Sequence, residues 1–366
     1  MTRVGIVGGG QLGMMLAEAG ATIGVECVTL DPAPDSPASR VAPAIVGGYD
    51  DEGALAELAA VSDVVTYEFE NVPVESARFL AERVLVAPPP ASLEFAQDRL
   101  REKTLFEDVG LAVPPFAPVA TEEELDEALD VVGLPSILKS RRLGYDGKGQ
   151  ARVEAVEAAR DAWRSVGEVP SILESLVAFD RELSILGARG SDGAVAFYPL
   201  VENVHRDGIL RVSTAPADDV SPRLQAEAER RALELMERLG HVGVLAIELF
   251  QVDDGLLGNE FAPRVHNSGH WTIEGAPTSQ FENHLRAVCG LELGPTTPTT
   301  YSAMVNLIGR EPGDEAFPDD PAVHVHRYGK QARPGRKLGH VTVVEDHRDT
   351  LESVLQVITR TADNLA

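Results

Sequence analysis

A mixed α/β and α+β fold in two or three domains is predicted by three observations. The first hundred residues alternate short apolar strands with helix-like runs, the pattern of a parallel sheet. The alternation stops at Pro88-Pro89-Pro90, a rigid boundary, and strand pairs with turn signals follow. The chain of 366 residues is also too long for one ordinary core.

Charge and composition narrow the function classes. The formal net charge of −26 argues against nucleic acid or an anionic membrane as partner, because both demand a basic surface. No uncharged stretch reaches the roughly 18 residues of a membrane span, and no basic leader with a cleavage site precedes the first strand. Cys27 and Cys289 fit no metal or disulfide spacing and read as thiols in a reducing cytoplasm. Only five lysines occur: Lys103, Lys139, Lys148, Lys330 and Lys337. Residues 322–344 carry five Lys/Arg and no acid, an island that in so acidic a chain points to anion binding.

Residues 3–7 read as a buried strand. Gly8, Gly10 and Gly13 then form G-x-G-x-x-G, with a helix-like run to residue 21 and a second strand at 25–30 ending at Asp31. Glycines there permit a tight turn and let a helix N-terminus approach an anion, and Asp31 lies about where a ribose-binding acid sits in a dinucleotide fold. Further strands are expected at 64–67 and 84–86. Gln11, Glu68 and Asn71 fall at the carboxyl edge of this sheet, where open α/β sheets bind ligands.

Residues 136–139 form a strand ending in Lys139. The loop that follows, with Gly144, Gly147 and Gly149, lets backbone N–H groups converge on phosphate oxygens, and Lys139, Arg141, Arg142 and Lys148 surround it with positive charge. It is not a Walker loop. Residues 172–177 form a short strand whose backbone edge, with the Glu174 carboxylate, suits an adenine amino group; Glu182 on the next strand suits ribose hydroxyls.

The most informative geometry is at residues 245–262, two strands around Asp253-Asp254-Gly255. With Asp254 at the centre of a three-residue loop, Val252 faces Leu256 and Glu248 faces Glu260, their Cβ atoms roughly 5 Å apart on one face. Opposed like charges destabilise a hairpin unless something offsets them, and a shared Mg²⁺ with hard oxygen ligands does so. Asn259 then points to the other face, so a role for it needs its backbone or a bulge.

Taken together, these segments resemble the ATP-grasp ligases, and specifically the N5-carboxyaminoimidazole ribonucleotide synthetase family. The resemblance is carried by GIVGGGQLGMML (5–16), QDR (97–99), Lys139 with GYDGKGQ (144–150), ESLV (174–177), ENVH (202–205), AIELF (246–250), NEFAPRVHNSGHWT (259–272) and RYGKQARPGRKLGH (327–340). Coverage is nearly end to end, with one departure at Val265, where proline is expected. The resemblance implies an N-terminal Rossmann-like domain (1–97), a central ATP-grasp domain whose two lobes clamp ATP (98–295) and a small C-terminal domain (296–366). It implies ATP contacts from Arg99, Lys139, the loop Gly144, Tyr145, Asp146, Gly147, Lys148, Gly149 and Gln150, the segment Glu174, Ser175, Leu176 and Val177, and from Glu182 and His205. Glu248 and Glu260 would hold Mg²⁺ (Mn²⁺ as an alternative), with Asn259 nearby. Tyr145, Asp146 and Lys148 would line the carboxyl-transfer site. His266, Asn267, Ser268, Lys330, Arg333, Arg336 and Lys337 would bind the ribonucleotide, mostly at its phosphate.

The implied reaction joins ATP, bicarbonate and 5-aminoimidazole ribonucleotide in purine biosynthesis, in a cytoplasmic homodimer. Asp146 leads as general base, with His270 the second candidate. Two rivals from other classes are an NAD-dependent oxidoreductase, supported by the glycine turn and Asp31, and a non-catalytic nucleotide-binding regulator. Within the ATP-grasp class the alternative is another carboxylase or a formate-using ligase on a related ribonucleotide.

Overall fold

The computed structural model describes residues 2–144 and 149–363. Its first sheet is parallel, in the spatial order Ala44–Val46, Glu26–Asp31, Arg3–Val7, Val64–Tyr67, Leu85–Val86. The chain leaves the central strand in both directions, so residues 8–11 and 68–71 meet at the switch point on the carboxyl edge. The strand Ala44–Val46 was not expected; three residues on an edge, with Val46 exposed, carry no readable periodicity.

An antiparallel sheet follows, ordered Phe116–Val119, Ser171–Ser175, Ser136–Ser140, Gln150–Val153. The two-residue period decides its faces. Leu138 and Leu173 enter a core with Trp163 and the helix Glu124–Val132, while Ile137 and Lys139 look into the cleft.

The largest sheet has nine strands. Its edge hairpin, Gly243–Val252 and Gly255–Ala262, pairs with Arg181–Arg189, then Val201–Arg206 and Ile209–Ala215. The tail strands Tyr301–Ile308, Lys337–Glu345 and Val323–Arg327 continue the same sheet. Val212 from the central region shares a core with Ala303, Val341, Leu351 and Ile358, so the C-terminal segment is bonded into the central sheet rather than set beside it. That placement brings Lys337 to the cleft.

The N-terminal unit is fixed to this sheet by the packing of Leu12 and Leu16 on Phe281 and Leu285. One hydrogen bond adds to it: His284, whose Nδ1 accepts from the Val244 N–H at 3.0 Å, donates from Nε2 to Thr66 Oγ1 of the N-terminal sheet at 2.8 Å. No helix among the described residues is long and apolar enough to cross a membrane. Cys27 is buried, and burial pushes its thiol up to about 12, which makes it an inert core group.

Candidate active site

The cleft lies between the four-stranded and nine-stranded sheets and encloses about 440 Å³. The glycine turn does not open into it as a dinucleotide site. The Glu68 carboxylate occupies the turn, accepting from the Gly10 N–H at 2.6 Å and the Gly13 N–H at 2.8 Å. A Cβ at Gly8 or Gly10 would strike that side chain, so these glycines make room for a carboxylate of the protein itself. Asp31 is likewise engaged, accepting from the N–H groups of Gly9 and Ala33 and from the Tyr49 hydroxyl, each at 2.8 Å. The dinucleotide rival loses both its supports. Glu68 as a substrate ligand is corrected too: only 8% exposed, its carboxyl group fills the turn at a helix N-terminus, and burial raises its pKa against the Gly13 and Gly10 N–H groups. Gln11 beside it does line the cleft and hydrogen-bonds to Lys330.

The paired glutamates meet as expected, by a different route. The turn is a two-residue Asp253-Asp254 connection with Val252 opposite Gly255 and Gln251 opposite Leu256, not a three-residue loop. That register alone would miss the glutamate pair by one residue. A β-bulge between Glu248 and Leu249, where Asn259 is the extra residue on the partner strand, restores it and sets Glu248 opposite Glu260. The bulge also gives Asn259 its role: its carbonyl accepts from Lys103 Nζ at 2.7 Å.

The charges around this pair are arranged asymmetrically. Burial works against Glu260's charge, but Arg99, 2.9 Å from Oε2, outweighs it and holds the carboxyl below its usual range. Among the described residues Glu248 has no arginine against it; an ionisable partner, His266 Nε2, stands at 3.4 Å. Burial, then repulsion from Glu260, pushes its carboxyl up to about 7. His205 and Lys337 oppose this only in part, and two carboxyl groups left facing each other are the condition a divalent cation relieves. Among the described residues no group of three or more His, Cys, Asp or Glu side chains could hold a metal by itself. Two hard oxygen donors therefore fit Mg²⁺ when phosphates and water complete its shell.

Sequence reasoning missed Lys103. It is fully buried, donates to the Gly258 carbonyl at 3.1 Å and stands 3.4 Å from Glu174 Oε2. Lys139 reaches the same oxygen at 3.1 Å. Burial opposes Glu174's charge, but Lys139, Lys103 and Arg99 overcome it and hold the carboxyl down at about 2. This corrects the expectation that the Glu174 side chain reads adenine: its carboxylate is enclosed between ammonium groups and orients Lys139. The cleft edge at Ser175, Leu176 and Val177 remains for the base. A signal for Lys103 was present in Arg99, Glu102 and Lys103, which share one helix face at i, i+3 and i+4. Arg99 itself is placed by Asp98, which caps that helix and receives a two-pronged contact from Arg141 at 3.0 and 2.7 Å.

Glu182 stands 2.6 Å from His205 Nδ1, and both line the cleft. Burial opposes protonation of His205, but Glu182 and Glu248 overcome it and raise the ring's affinity for a proton. Gly144 and Gln150 line the same space, whereas Tyr145, Asp146, Gly147 and Lys148 lie outside the described residues. Gly149 has φ +70°, a left-handed conformation that favours glycine.

At the far end, Ser268 is fully buried and His266 and Asn267 line the cleft. Asn267 exchanges hydrogen bonds with Asn306 at 3.1 and 2.7 Å. The His266 Nδ1 accepts from the Ser268 N–H at 3.3 Å, so its proton sits on Nε2, which is 3.4 Å from Glu248 Oε1. Lys330 is partly buried; burial lowers its ammonium to about 8. Of the basic tail, Lys337 lines the cleft, Arg336 donates to the Gln331 carbonyl at 3.2 Å, and Arg333 is exposed.

Comparison with known proteins is consistent with each part. Three family models match: a ribonucleotide synthetase preATP-grasp domain over residues 1–97, an ATP-grasp domain over 104–281, and a phosphoribosylaminoimidazole carboxylase C-terminal domain over 302–354. The N5-carboxyaminoimidazole ribonucleotide synthase of Pseudomonas aeruginosa is 48% identical over 351 residues, covering 96% of this chain and 97% of that one. The crystal structure of N5-carboxyaminoimidazole ribonucleotide synthetase from Thermus thermophilus superposes with a TM-score of 0.95 at 55% identity, covering 98% of each chain. The synthase from Aspergillus clavatus, solved with ADP and 5-aminoimidazole ribonucleotide, gives 0.92 at 31% identity over 99% of each.

Proposed function

The chain belongs to the N5-carboxyaminoimidazole ribonucleotide synthase family of ATP-grasp ligases, and from that premise we propose that its cleft joins ATP, bicarbonate and 5-aminoimidazole ribonucleotide, with Mg²⁺ on Glu248 and Glu260. It is an ATP-dependent ligase of purine biosynthesis that carboxylates the amine of the ribonucleotide. The observation that carries the reading is the opposed glutamate pair sharing one cleft with Lys139 of the Ser136–Ser140 strand.

Bicarbonate is a poor electrophile, so the chemistry needs it activated. Transfer of the γ-phosphoryl group from ATP to a bicarbonate oxygen gives carboxyphosphate and ADP. The exocyclic nitrogen of the ribonucleotide then attacks the carboxyl carbon, the C–O bond to phosphate breaks, and the nitrogen loses a proton. Phosphoryl transfer depends mostly on positioning and charge neutralisation. Lys139, aimed by Glu174, supplies a fixed positive charge at one wall, and Arg99 supplies another beside Glu260. A cation bound by the two glutamates would add neutralisation of the phosphate oxygens. Asp146 remains the proposed proton acceptor. Cytoplasmic location and a homodimer are proposed on the family resemblance; light scattering of the purified chain tests the second.

A panel of ribonucleotide amines, each with ATP and Mg²⁺ and either bicarbonate or formate, tests the assignment. ADP release is expected only with aminoimidazole ribonucleotide and bicarbonate. Equal turnover with formate, or with no amine, contradicts it. In the same assay Lys337→Ala is expected to raise the KM for the ribonucleotide by about tenfold, the worth of one charged hydrogen bond, with little change for ATP. The reverse order would move the tail to the nucleotide end.

A further inference from the structure

His270 is 1% exposed and lines the cleft just beyond the Asn267–Gly269 turn. Where its proton sits can be read from the fully buried side chain of Gln280. Two backbone groups decide which end of that amide is which. The His266 N–H only donates, so the Gln280 oxygen lies against it at 2.8 Å. The His266 carbonyl only accepts, so Gln280 Nε2 lies against that at 2.7 Å. The same Nε2 stands 3.2 Å from His270 Nδ1 and has only protons to offer. His270 Nδ1 must therefore present its lone pair, and a neutral ring then carries its single proton on Nε2.

Burial, reinforced by positive charge nearby, holds the ring neutral. Among the described residues Nε2 has no hydrogen-bond partner, and it is not one of the sealed, unpartnered polar atoms. Its N–H is thus not sealed, and the ring lines the cleft. The ring packs against Phe281 and His340, with centroids 5.5 and 4.9 Å away. His340 belongs to the strand that begins at Lys337, so His270 packs against the strand whose lysine the family resemblance assigns to the ribonucleotide.

We propose that His270 is not a general base but a neutral hydrogen-bond donor to an anionic oxygen of the bound ribonucleotide, and that Gln280 is the positioning residue that fixes its tautomer. The identity of the ligand rests on the function proposed above; the tautomer does not.

Nitrogen-15 NMR of the wild-type protein with labelled histidine reads the tautomer without any turnover. The ring missing from the His270→Gln spectrum assigns the His270 signals; that ring is expected to be neutral with its proton on Nε2 at neutral pH, and Gln280→Glu should move that proton to Nδ1. A proton on Nδ1, or on both nitrogens, of the His270 ring in the wild type overturns the proposal. Kinetics read the role. His270→Ala should lower kcat/KM for the ribonucleotide by about 10- to 100-fold, the worth of a hydrogen bond to a charged group, with the KM for ATP unchanged. His270→Gln returns an N–H near the position of Nε2 and should recover most of that loss. If His270→Gln is as impaired as His270→Ala, and both lose the same ionisation from the pH profile, His270 is a base and the proposal fails. A wild-type protein that ignores the ribonucleotide yet shows the Nε2 proton would sink the ligand assignment alone.

Discussion

Glu260→Gln is expected to lower kcat by on the order of 10²–10³ or more while the protein stays folded. The substitution keeps an amide oxygen able to accept from Arg99 at the position where Oε2 lies, 2.9 Å away. It removes one of two charges that the bulged hairpin sets opposite each other. The thermal midpoint should change little, because relief of the repulsion on Glu248 offsets the loss of Glu260's charge beside Arg99. A loss of activity through unfolding would look different, with midpoint and rate falling together. The check is bicarbonate- and amine-dependent ADP release measured across a Mg²⁺ series, beside a melting curve. Near-normal turnover at the wild-type Mg²⁺ requirement would remove Glu260 from the metal set.

Lys103→Met should give the largest loss of stability, about 3–5 kcal/mol, the range found when one partner of a buried ion pair is removed. Its ammonium is fully enclosed and joins the Gly258 and Asn259 carbonyls to Glu174. Methionine fills the space but leaves two carbonyls without a donor, and leaves Glu174, whose Oε1 already lacks a partner, with Lys139 as its remaining lysine. The bulge that aligns Glu248 with Glu260 would lose its support, so activity should fall further than Tm alone explains. Urea unfolding measures the first effect. A change under about 1 kcal/mol, as at an exposed site, would contradict the buried-network account. The pH dependence has a definite sign. Glu174's folded pKa is depressed to about 2, below the ordinary 4.5, so its contribution is present above pH 4.5 and is lost as pH falls towards 2.

Much of this was legible in the residues because local chemistry wrote it. The parallel sheet, the strand ending at Lys139 and the glutamate hairpin each follow from periodicity and turn residues a few positions apart. The hairpin shows where such reading stops. The turn is one residue shorter than expected and the bulge one residue longer, so the pair survived two compensating departures. Gly258 beside the bulge is a local hint of it, but Lys103, which donates to both carbonyls there, lies about 155 positions away and is not visible from the hairpin's own residues. The glycine turn misled for a related reason. Its pattern reports that an acceptor approaches a helix N-terminus, and that is true; the acceptor is the Glu68 carboxyl group, brought there by the neighbouring strand of the sheet. The C-terminal segment reads as a separate small domain because its joining strands are distant in sequence, though hydrogen bonds make it an extension of the central sheet.

The most direct test of the central claim is a Mn²⁺ titration of the ATP-bound protein, followed by the EPR signal of free Mn²⁺. Wild-type protein should take up Mn²⁺ tightly in the presence of nucleotide, and the double variant Glu248→Gln, Glu260→Gln should lose that site while still binding nucleotide. Uptake by the double variant equal to that of the wild type would show that the ion is held elsewhere.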